Sequence, residues 1–181
     1  VLAARKEYRA AAAAFADAAR RFADKAGADD PAAAARLGWN LSGVLTDAGD
    51  PAGALVQLER FLPLGPRSPE PFERLAELLR KAGRGGEAVP ALDRWARQRP
   101  NNPAVKWVLA AEVGRTDPDA AHRTFSTLAR GADDPALFRV AVRHYARAGR
   151  SADLLALLDD LFRAARGGDE PRVRGKGASA D

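Results

Sequence analysis

Four dipeptides in which a capping side chain directly precedes a proline recur along this chain, and their spacing is the strongest constraint on its fold. They are Asp30-Pro31, Ser68-Pro69, Asn102-Pro103 and Asp134-Pro135. They are separated by about 30 to 40 residues, a period typical of helical repeats. A side-chain oxygen just before a helix accepts a hydrogen bond from an unpaired helical N–H, and proline at the first helical position loses no needed donor. Each dipeptide therefore predicts the start of a helix.

A glycine follows each predicted start where a helix should end. These glycines are Gly49, Gly83, Gly114 and Gly149, and they recur with nearly the same period. Glycine readily adopts the left-handed conformation that closes many helices, so we expect that conformation here. Further helix starts follow at Asp50-Pro51, Asp117-Pro118 and Ser151. No stretch keeps the period-two alternation of a strand, and the sequence predicts an all-α fold of hairpins with a repeat of about 34 residues.

The repeated unit resembles the tetratricopeptide repeat, a helix–turn–helix of about 34 residues. That family places a Leu and a small residue in the first helix, an Ala in the second and a Pro near the end. The matching residues are Leu41-Ser42, Ala54 and Pro66 in one unit, Leu75-Ala76, Ala88 and Pro100 in the next, and Leu109-Ala110 and Ala121 in a third. A fourth unit has Val142 and Leu154 in those places, and we interpret it as a degenerate terminal repeat with altered packing.

The resemblance, to a bacterial type with divergent repeats, implies a right-handed α-solenoid of about four hairpins plus an N-terminal helix. The predicted repeat domain spans residues 1–166, with the helix at 1–26 and hairpins at 31–66, 69–100, 103–131 and 135–166. Residues 167–181 lack an apolar face, and we expect a disordered basic tail there. The chain begins without Met, and its first helix resembles the second helix of a hairpin, so we expect a piece of a longer protein.

The residue types that carry chemistry are sparse. There is no cysteine, and the two histidines, His122 and His144, lie in different predicted units without metal-ligand spacing. The glycine-rich strings at 83–86 and 167–168 follow no predicted strand and lack the Lys-Ser/Thr of a phosphate loop. We therefore expect a protein that is not an enzyme and that needs no cofactor or metal.

The charge balance is 29 basic to 24 acidic residues, a formal net charge of +5. Arg and Ala predominate over Lys, which is typical of GC-rich genomes, so this balance is weak evidence for a nucleic-acid partner. No apolar run approaches the roughly 20 residues that a spanning helix needs. We expect a soluble segment without membrane insertion. The sequence does not determine the cellular compartment; we prefer the cytoplasm over the periplasm or secretion.

The resemblance also implies a concave groove lined by the first helix of each hairpin. The residues expected to bind a peptide there are Trp39, Asn40, Glu73, Glu77, Lys81, Trp107, Arg139, Arg143 and Arg147. Trp39 and Trp107 share one register, two residues before Leu41 or Leu109, and are candidate aromatic anchors for a ligand. The alternative is that they pack between first helices, with the N-terminal helix covering Trp39.

The three arginines at 139, 143 and 147 are four residues apart, so they form one ridge on a helix. A groove that becomes basic towards its C-terminal end would suit an acidic peptide or a C-terminal carboxylate; a solvated face is the alternative. The leading hypothesis is a protein-binding scaffold. A self-association or spacer module is the second hypothesis, and nucleic-acid binding through the arginine-rich face and tail is the third.

Overall fold

The computed structural model describes residues 30–131 and 134–167, together with residues 7, 10, 11, 13–18 and 21 near the N-terminus. Residues 13–18 are helical, but most of the helix predicted at 1–26 lies outside the described residues. The tail predicted to be disordered also lies outside them, except for Gly167, which is helical. The architecture below therefore concerns residues 30–167.

Eight α-helices follow one another along this part of the chain. They are α1 (Pro31–Asp47), α2 (Pro51–Phe61), α3 (Glu70–Lys81), α4 (Ala88–Gln98), α5 (Pro103–Val113), α6 (Pro118–Ala129), α7 (Pro135–Ala148) and α8 (Ser151–Gly167). Short 3-10 turns at Leu62–Leu64 and Gly85–Glu87 complete the regular structure. The described residues contain no strand, and the all-α prediction is confirmed.

Side-chain caps begin five of these helices as the sequence predicts. The carboxylate or amide oxygens of Asp30, Asp50, Asn102, Asp117 and Asp134 each accept a hydrogen bond from a backbone N–H in the first turn. The cap predicted at Ser68 is wrong. Pro69 already has helical angles, so α3 begins at Glu70, and the Pro69 carbonyl accepts from the N–H groups of Phe72 and Glu73 at 3.1 and 3.0 Å.

Glycine closes three of the first helices in the predicted left-handed conformation. Gly49, Gly83 and Gly149 have φ values of 79°, 76° and 66°. Gly114 does not, because its φ is −65° and the chain leaves α5 through a right-handed turn. In that turn the N–H groups of Thr116 and Asp117 both donate to the Val113 carbonyl. Gly114 has another role, in close packing beneath His144.

The helices pack as successive antiparallel hairpins that share one core. Each of α2, α4 and α6 contacts the first helix of its own hairpin and the first helix of the next, while α3, α5 and α7 contact one another side by side. The buried core runs without interruption from Ala54 to Leu157. This arrangement agrees with the tetratricopeptide-like helical repeat that the sequence predicts.

Small residues lie where the helices approach most closely. Ala54, Ala88 and Ala121 are at most 2 % exposed. Gly38 on α1 also permits a close approach, because a Cβ there would lie 2.8 Å from the Gln57 carbonyl oxygen on α2. The fourth hairpin differs, since Val142 is 42 % exposed and so does not lie between the helices.

Asn102 links the third hairpin to the first. Its side-chain oxygen accepts from the Ala104 N–H at 3.0 Å and so caps α5. Its side-chain nitrogen donates to the Pro66 carbonyl at 2.8 Å, in the turn that ends the first hairpin. Asn102 is only 7 % exposed, so both hydrogen bonds are shielded from water. One polar side chain therefore starts a helix and sets its position against an earlier unit.

Candidate functional site

A cavity of about 660 Å³ opens between the three first helices α3, α5 and α7. We call it the groove cavity. Its lining consists of Glu73, Glu77 and Arg80 from α3, Val108, Ala111, Glu112, Gly114 and Arg115 from α5 and its end, Pro118 at the start of α6, and Val140, Arg143, His144, Arg147 and Ala148 from α7. The lining combines apolar side chains with charged ones from all three helices.

Four of the nine residues predicted for the groove line this cavity. They are Glu73, Glu77, Arg143 and Arg147. Lys81 and Arg139 are not in the lining and form ion pairs, with Lys81 Nζ 2.7 Å from Glu77 Oε1 and Arg139 Nη2 3.9 Å from Glu70 Oε1. Asn40 is exposed on α1, away from the cavity lining. The two tryptophans are also outside the lining.

Several lining residues were not predicted from the sequence, and some of them lie one position away from the residues that were. On α5 and α7 the cavity is lined by equivalent pairs, namely Val108 and Val140, Ala111 and Arg143, Glu112 and His144, and Arg115 and Arg147. The first pair lies one residue after the register shared by Trp107 and Arg139. Ala111 and Arg115 stand one repeat before Arg143 and Arg147, so the repeat itself was the signal that could have identified them. On α5 and α7 the lining therefore begins one residue after Trp107 and Arg139, while the predicted Arg143 and Arg147 belong to it.

Trp107 is buried and cannot act as an aromatic anchor in this conformation. Its exposed fraction is 0 %. Its ring lies 5.4 Å from the ring of Phe125 on α6 and 5.2 Å from that of Phe138 on α7, measured between centroids. The anchor interpretation is corrected here, and the structure shows the alternative in which Trp107 packs between neighbouring first helices.

Trp39 is half-buried and is covered by Arg74 from the following hairpin. The Arg74 guanidinium carbon lies 3.7 Å from the centroid of the Trp39 ring, a cation–π geometry. Phe61 packs against the ring at 5.3 Å between centroids. Burial lowers the pKa of the Arg74 guanidinium below its usual range. The sequence predicted that the N-terminal helix covers Trp39. Within the described part of the chain, Arg74 covers its ring.

The arginine ridge of α7 faces an acidic ridge on α3. Glu70, Glu73 and Glu77 lie three and four residues apart, so they share one face of α3. Arg143 Nη2 lies 2.8 Å from both carboxylate oxygens of Glu73, a contact that spans 70 residues and joins α7 to α3. The expectation of a basic C-terminal end is therefore corrected for this part of the groove, because the α3 carboxylates neutralise much of the ridge.

Burial raises the pKa of the Glu73 carboxyl, and its neighbours modify the shift. Arg143 and Arg147 lower the pKa, whereas Glu70 raises it. The side chain is 29 % exposed, so the carboxylate gives up part of its hydration to reach Arg143. Because the folded-state pKa is raised, Glu73 disfavours the folded state above that pKa, and this cost disappears as the pH falls below the ordinary value of the carboxyl.

Replacing Arg143 by glutamine is expected to raise the pKa of Glu73 further, because the strongest lowering influence is lost while the burial remains. A carbon-detected NMR titration of the Glu73 carboxyl in both proteins measures this shift. Arg139→Gln is the matched control, since Arg139 lies on the same ridge but contacts Glu70 at the longer distance of 3.9 Å. If Glu73 titrates at the same pH in wild type and in Arg143→Gln, the ion pair does not form in solution.

His144 forms part of the cavity wall but is poorly placed for acid–base chemistry. It is 8 % exposed, and its ring packs against the rings of Phe125 and Tyr145. Burial is the main cause that lowers the pKa of His144, and Arg150 and Arg147 lower it further. The ring is therefore mostly neutral at pH 7. Its Nε2 is buried without a hydrogen-bond partner among the described residues.

The chemical character of the cavity follows from the residue types in its lining. No Ser, Thr or Cys is among its lining residues, so it offers no nucleophile of those types next to His144. Within the described residues, no group of three or more His, Asp or Glu side chains is placed to hold a metal ion. The lining offers guanidinium donors, carboxylate acceptors, the His144 imidazole and apolar side chains.

Comparisons with known proteins support the repeat architecture over part of the chain. A family model described as a tetratricopeptide repeat matches residues 45–111, from the end of α1 through most of α5, and confirms the resemblance there. Repeats of this family generally mediate protein–protein interactions and are typically non-enzymatic scaffolds. No curated protein and no solved structure gave a significant match. None of the helices in the described part of the chain is long and apolar enough to cross a membrane.

Proposed function

We propose that this chain, with tetratricopeptide repeats at residues 45–111, is a non-enzymatic scaffold that holds a short segment of a partner protein in the groove cavity. The main support is the cavity itself, because it lies between three first helices and combines apolar with charged lining residues. Its volume of about 660 Å³ falls within the range of roughly 300 to 1,000 Å³ that is common for ligand pockets.

The cavity arginines that have no close hydrogen bond to a carboxylate indicate where a ligand would bind. Arg147 has no ion-pair partner within the described residues, and Arg115 Nε lies 3.9 Å from the Glu112 carboxylate, beyond hydrogen-bond distance. Both arginines line the cavity. Arg143, by contrast, is held by Glu73. We therefore expect a carboxylate of the bound segment to lie at Arg115 and Arg147, with its apolar side chains on Val108 and Val140.

The proposal can be tested with synthetic peptides. A fluorescein-labelled peptide of Leu, Ala and Glu with a free C-terminal carboxylate is titrated with the protein and followed by fluorescence anisotropy. Arg147→Glu is expected to weaken its binding about tenfold or more, because a charge-assisted hydrogen bond is worth about 1.5 to 3 kcal/mol. The same peptide with Lys in place of Glu and an amidated C-terminus is expected to bind more weakly to the wild type.

The matched control is Arg94→Glu, which makes the same change of charge at an exposed position on α4, outside the cavity lining. It is expected to leave peptide binding nearly unchanged. An equal loss of affinity in Arg94→Glu and Arg147→Glu would mean that only net charge attracts the peptide. Absence of binding to any of the acidic or basic peptides would contradict the groove as a peptide site.

A further inference from the structure

Arg143 holds a carboxylate inside the groove cavity, and that carboxylate comes from the chain itself. Arg143 Nη2 lies 2.8 Å from both carboxylate oxygens of Glu73, and both residues belong to the cavity lining. Arginine side chains recognise carboxylates of bound ligands through the same kind of charge-assisted hydrogen bond. Glu73 therefore occupies, from α3, the place on α7 that a carboxylate of a bound segment would otherwise take.

The Arg143 guanidinium is positioned by its own helix as well as by Glu73. Its Nε donates to the Arg139 carbonyl oxygen at 3.3 Å, one turn earlier on α7. This hydrogen bond does not involve Glu73, so the guanidinium keeps a backbone partner when Glu73 is replaced. The Arg143 side chain is 47 % exposed, so water can also hydrate its charge. Arg143 is therefore expected to stay available for a carboxylate when its internal partner is removed.

The fold does not need a carboxylate at Glu73. Burial is the largest influence on the pKa of Glu73 and raises it, although Arg143 lowers it. A carboxyl group whose pKa is raised by folding makes the folded state less stable at neutral pH than an unperturbed carboxyl group would. The contact with Arg143 therefore only partly offsets the cost of burying this charge, and its consequence lies in what the groove can bind.

We propose that Glu73 is a specificity-determining residue of the groove cavity, an internal competitor that keeps Arg143 from binding a carboxylate of the partner. This rests on the scaffold function proposed above, in which a carboxylate of the bound segment lies at Arg115 and Arg147. With Arg143 occupied, the groove gains nothing from a second carboxylate directed at it. The preferred partner is therefore a segment with a single acidic group among apolar residues, and an acidic cluster has no advantage.

The spacing of the arginines defines a ligand that tests this competition. Arg143 and Arg147 are four residues apart, so they are separated by about 6 Å along the axis of α7. In an extended peptide, side chains two residues apart point to the same side and are separated by about 6.5 Å. A peptide with the sequence Glu-Ala-Glu between Leu and Ala residues can therefore direct one carboxylate to each arginine. The same peptide with Gln-Ala-Glu can serve only one of them.

Fluorescence anisotropy with these two labelled peptides, both with amidated C-termini, measures the selectivity as the ratio of the two affinities. For the wild type we expect no preference for the Glu-Ala-Glu peptide. For Glu73→Gln we expect a preference of about tenfold or more, the usual gain from a hydrogen bond to a charged group. Arg143→Gln in the Glu73→Gln background is expected to abolish this preference, because the gain depends on the Arg143 guanidinium.

Glu77→Gln is the matched control, since it removes the same charge from the same cavity lining. The Glu77 carboxylate pairs with Lys81 at 2.7 Å, and Lys81 is outside the lining, so this variant leaves the contact between Glu73 and Arg143 in place. It is expected to shift the affinities for both peptides by the same factor, without changing their ratio. An equal gain in selectivity in Glu77→Gln and Glu73→Gln would mean that only net charge matters, and would overturn the proposal.

Other results would also overturn it. One is a wild type that already prefers the Glu-Ala-Glu peptide as strongly as Glu73→Gln does, and another is a Glu73→Gln protein that gains no preference. A Glu73→Gln protein that is less stable than the wild type in urea unfolding at pH 7 would assign Glu73 a structural role instead. In each case, binding of the Gln-Ala-Glu peptide to the wild type keeps the scaffold function. Absence of binding of either peptide to every variant would overturn both proposals.

Discussion

Replacing Trp107 by alanine is expected to lower the free energy of unfolding by about 3 to 5 kcal/mol, the usual cost of removing a large aromatic side chain from a core. Trp107 is fully buried, and its ring contacts Phe125 of its own hairpin and Phe138 of the next. Its removal leaves a cavity where α5, α6 and α7 meet. Urea unfolding followed by circular dichroism measures the loss.

Two other substitutions make this prediction specific. Trp107→Phe is expected to cost much less than Trp107→Ala, because it keeps an aromatic ring and removes an indole N–H that is buried without a partner among the described residues. Trp39→Ala is also expected to cost less, since Trp39 is only half-buried beneath Arg74. A loss from Trp107→Ala no larger than that from Trp39→Ala would mean that Trp107 is not a core residue.

Replacing Gly114 by alanine is expected to lower the free energy of unfolding by about 1 to 3 kcal/mol through overpacking. A Cβ at this position would lie 2.6 Å from the Cβ of Ala121, and closer still to Cε1 of His144. The His144 ring is itself packed against Phe125 and Tyr145, so it has little room to move. The added methyl group would therefore push α7 away from the end of α5.

The matched control is Gly86→Ala. A Cβ at Gly86 meets no atom within 4 Å, and the backbone there has no positive φ. This variant is expected to change the free energy of unfolding by about 0.5 kcal/mol or less, as is usual for surface positions. Equal effects of the two substitutions in thermal unfolding would show that the contact with His144 carries no strain.

Local signals in the sequence predicted the helix boundaries well. The caps at Asp30, Asp50 and Asp117 each use a hydrogen bond to an N–H three residues away, so the partners are near in sequence. The same signal failed at Ser68, where Pro69 already has helical angles and its carbonyl accepts the first hydrogen bonds of α3. A capping side chain therefore predicts where a helix begins, unless a backbone carbonyl accepts the first hydrogen bonds in its place.

The groove residues were only partly predictable. Glu73, Trp107 and Arg139 occupy equivalent positions, yet Glu73 lines the cavity, Trp107 is buried and Arg139 pairs with Glu70 outside the lining. A rotation of a helix by one residue turns its side chains by about 100°, which exchanges a groove-facing position for a buried one. The pattern within one helix does not determine that rotation.

The sequence by itself determined the helices, their caps and the hairpin repeat, because these depend on hydrogen bonds and backbone preferences within a few residues. Only the tertiary structure decided that Glu73 neutralises Arg143 across 70 residues, that Gly114 lies beneath His144, and that Trp107 is buried in the core. Burial and charge pairing depend on which helix lies opposite and how it is rotated. The rotation of each helix is set by many weak contacts along the core. These contacts join distant parts of the chain, so no single stretch of sequence contains them.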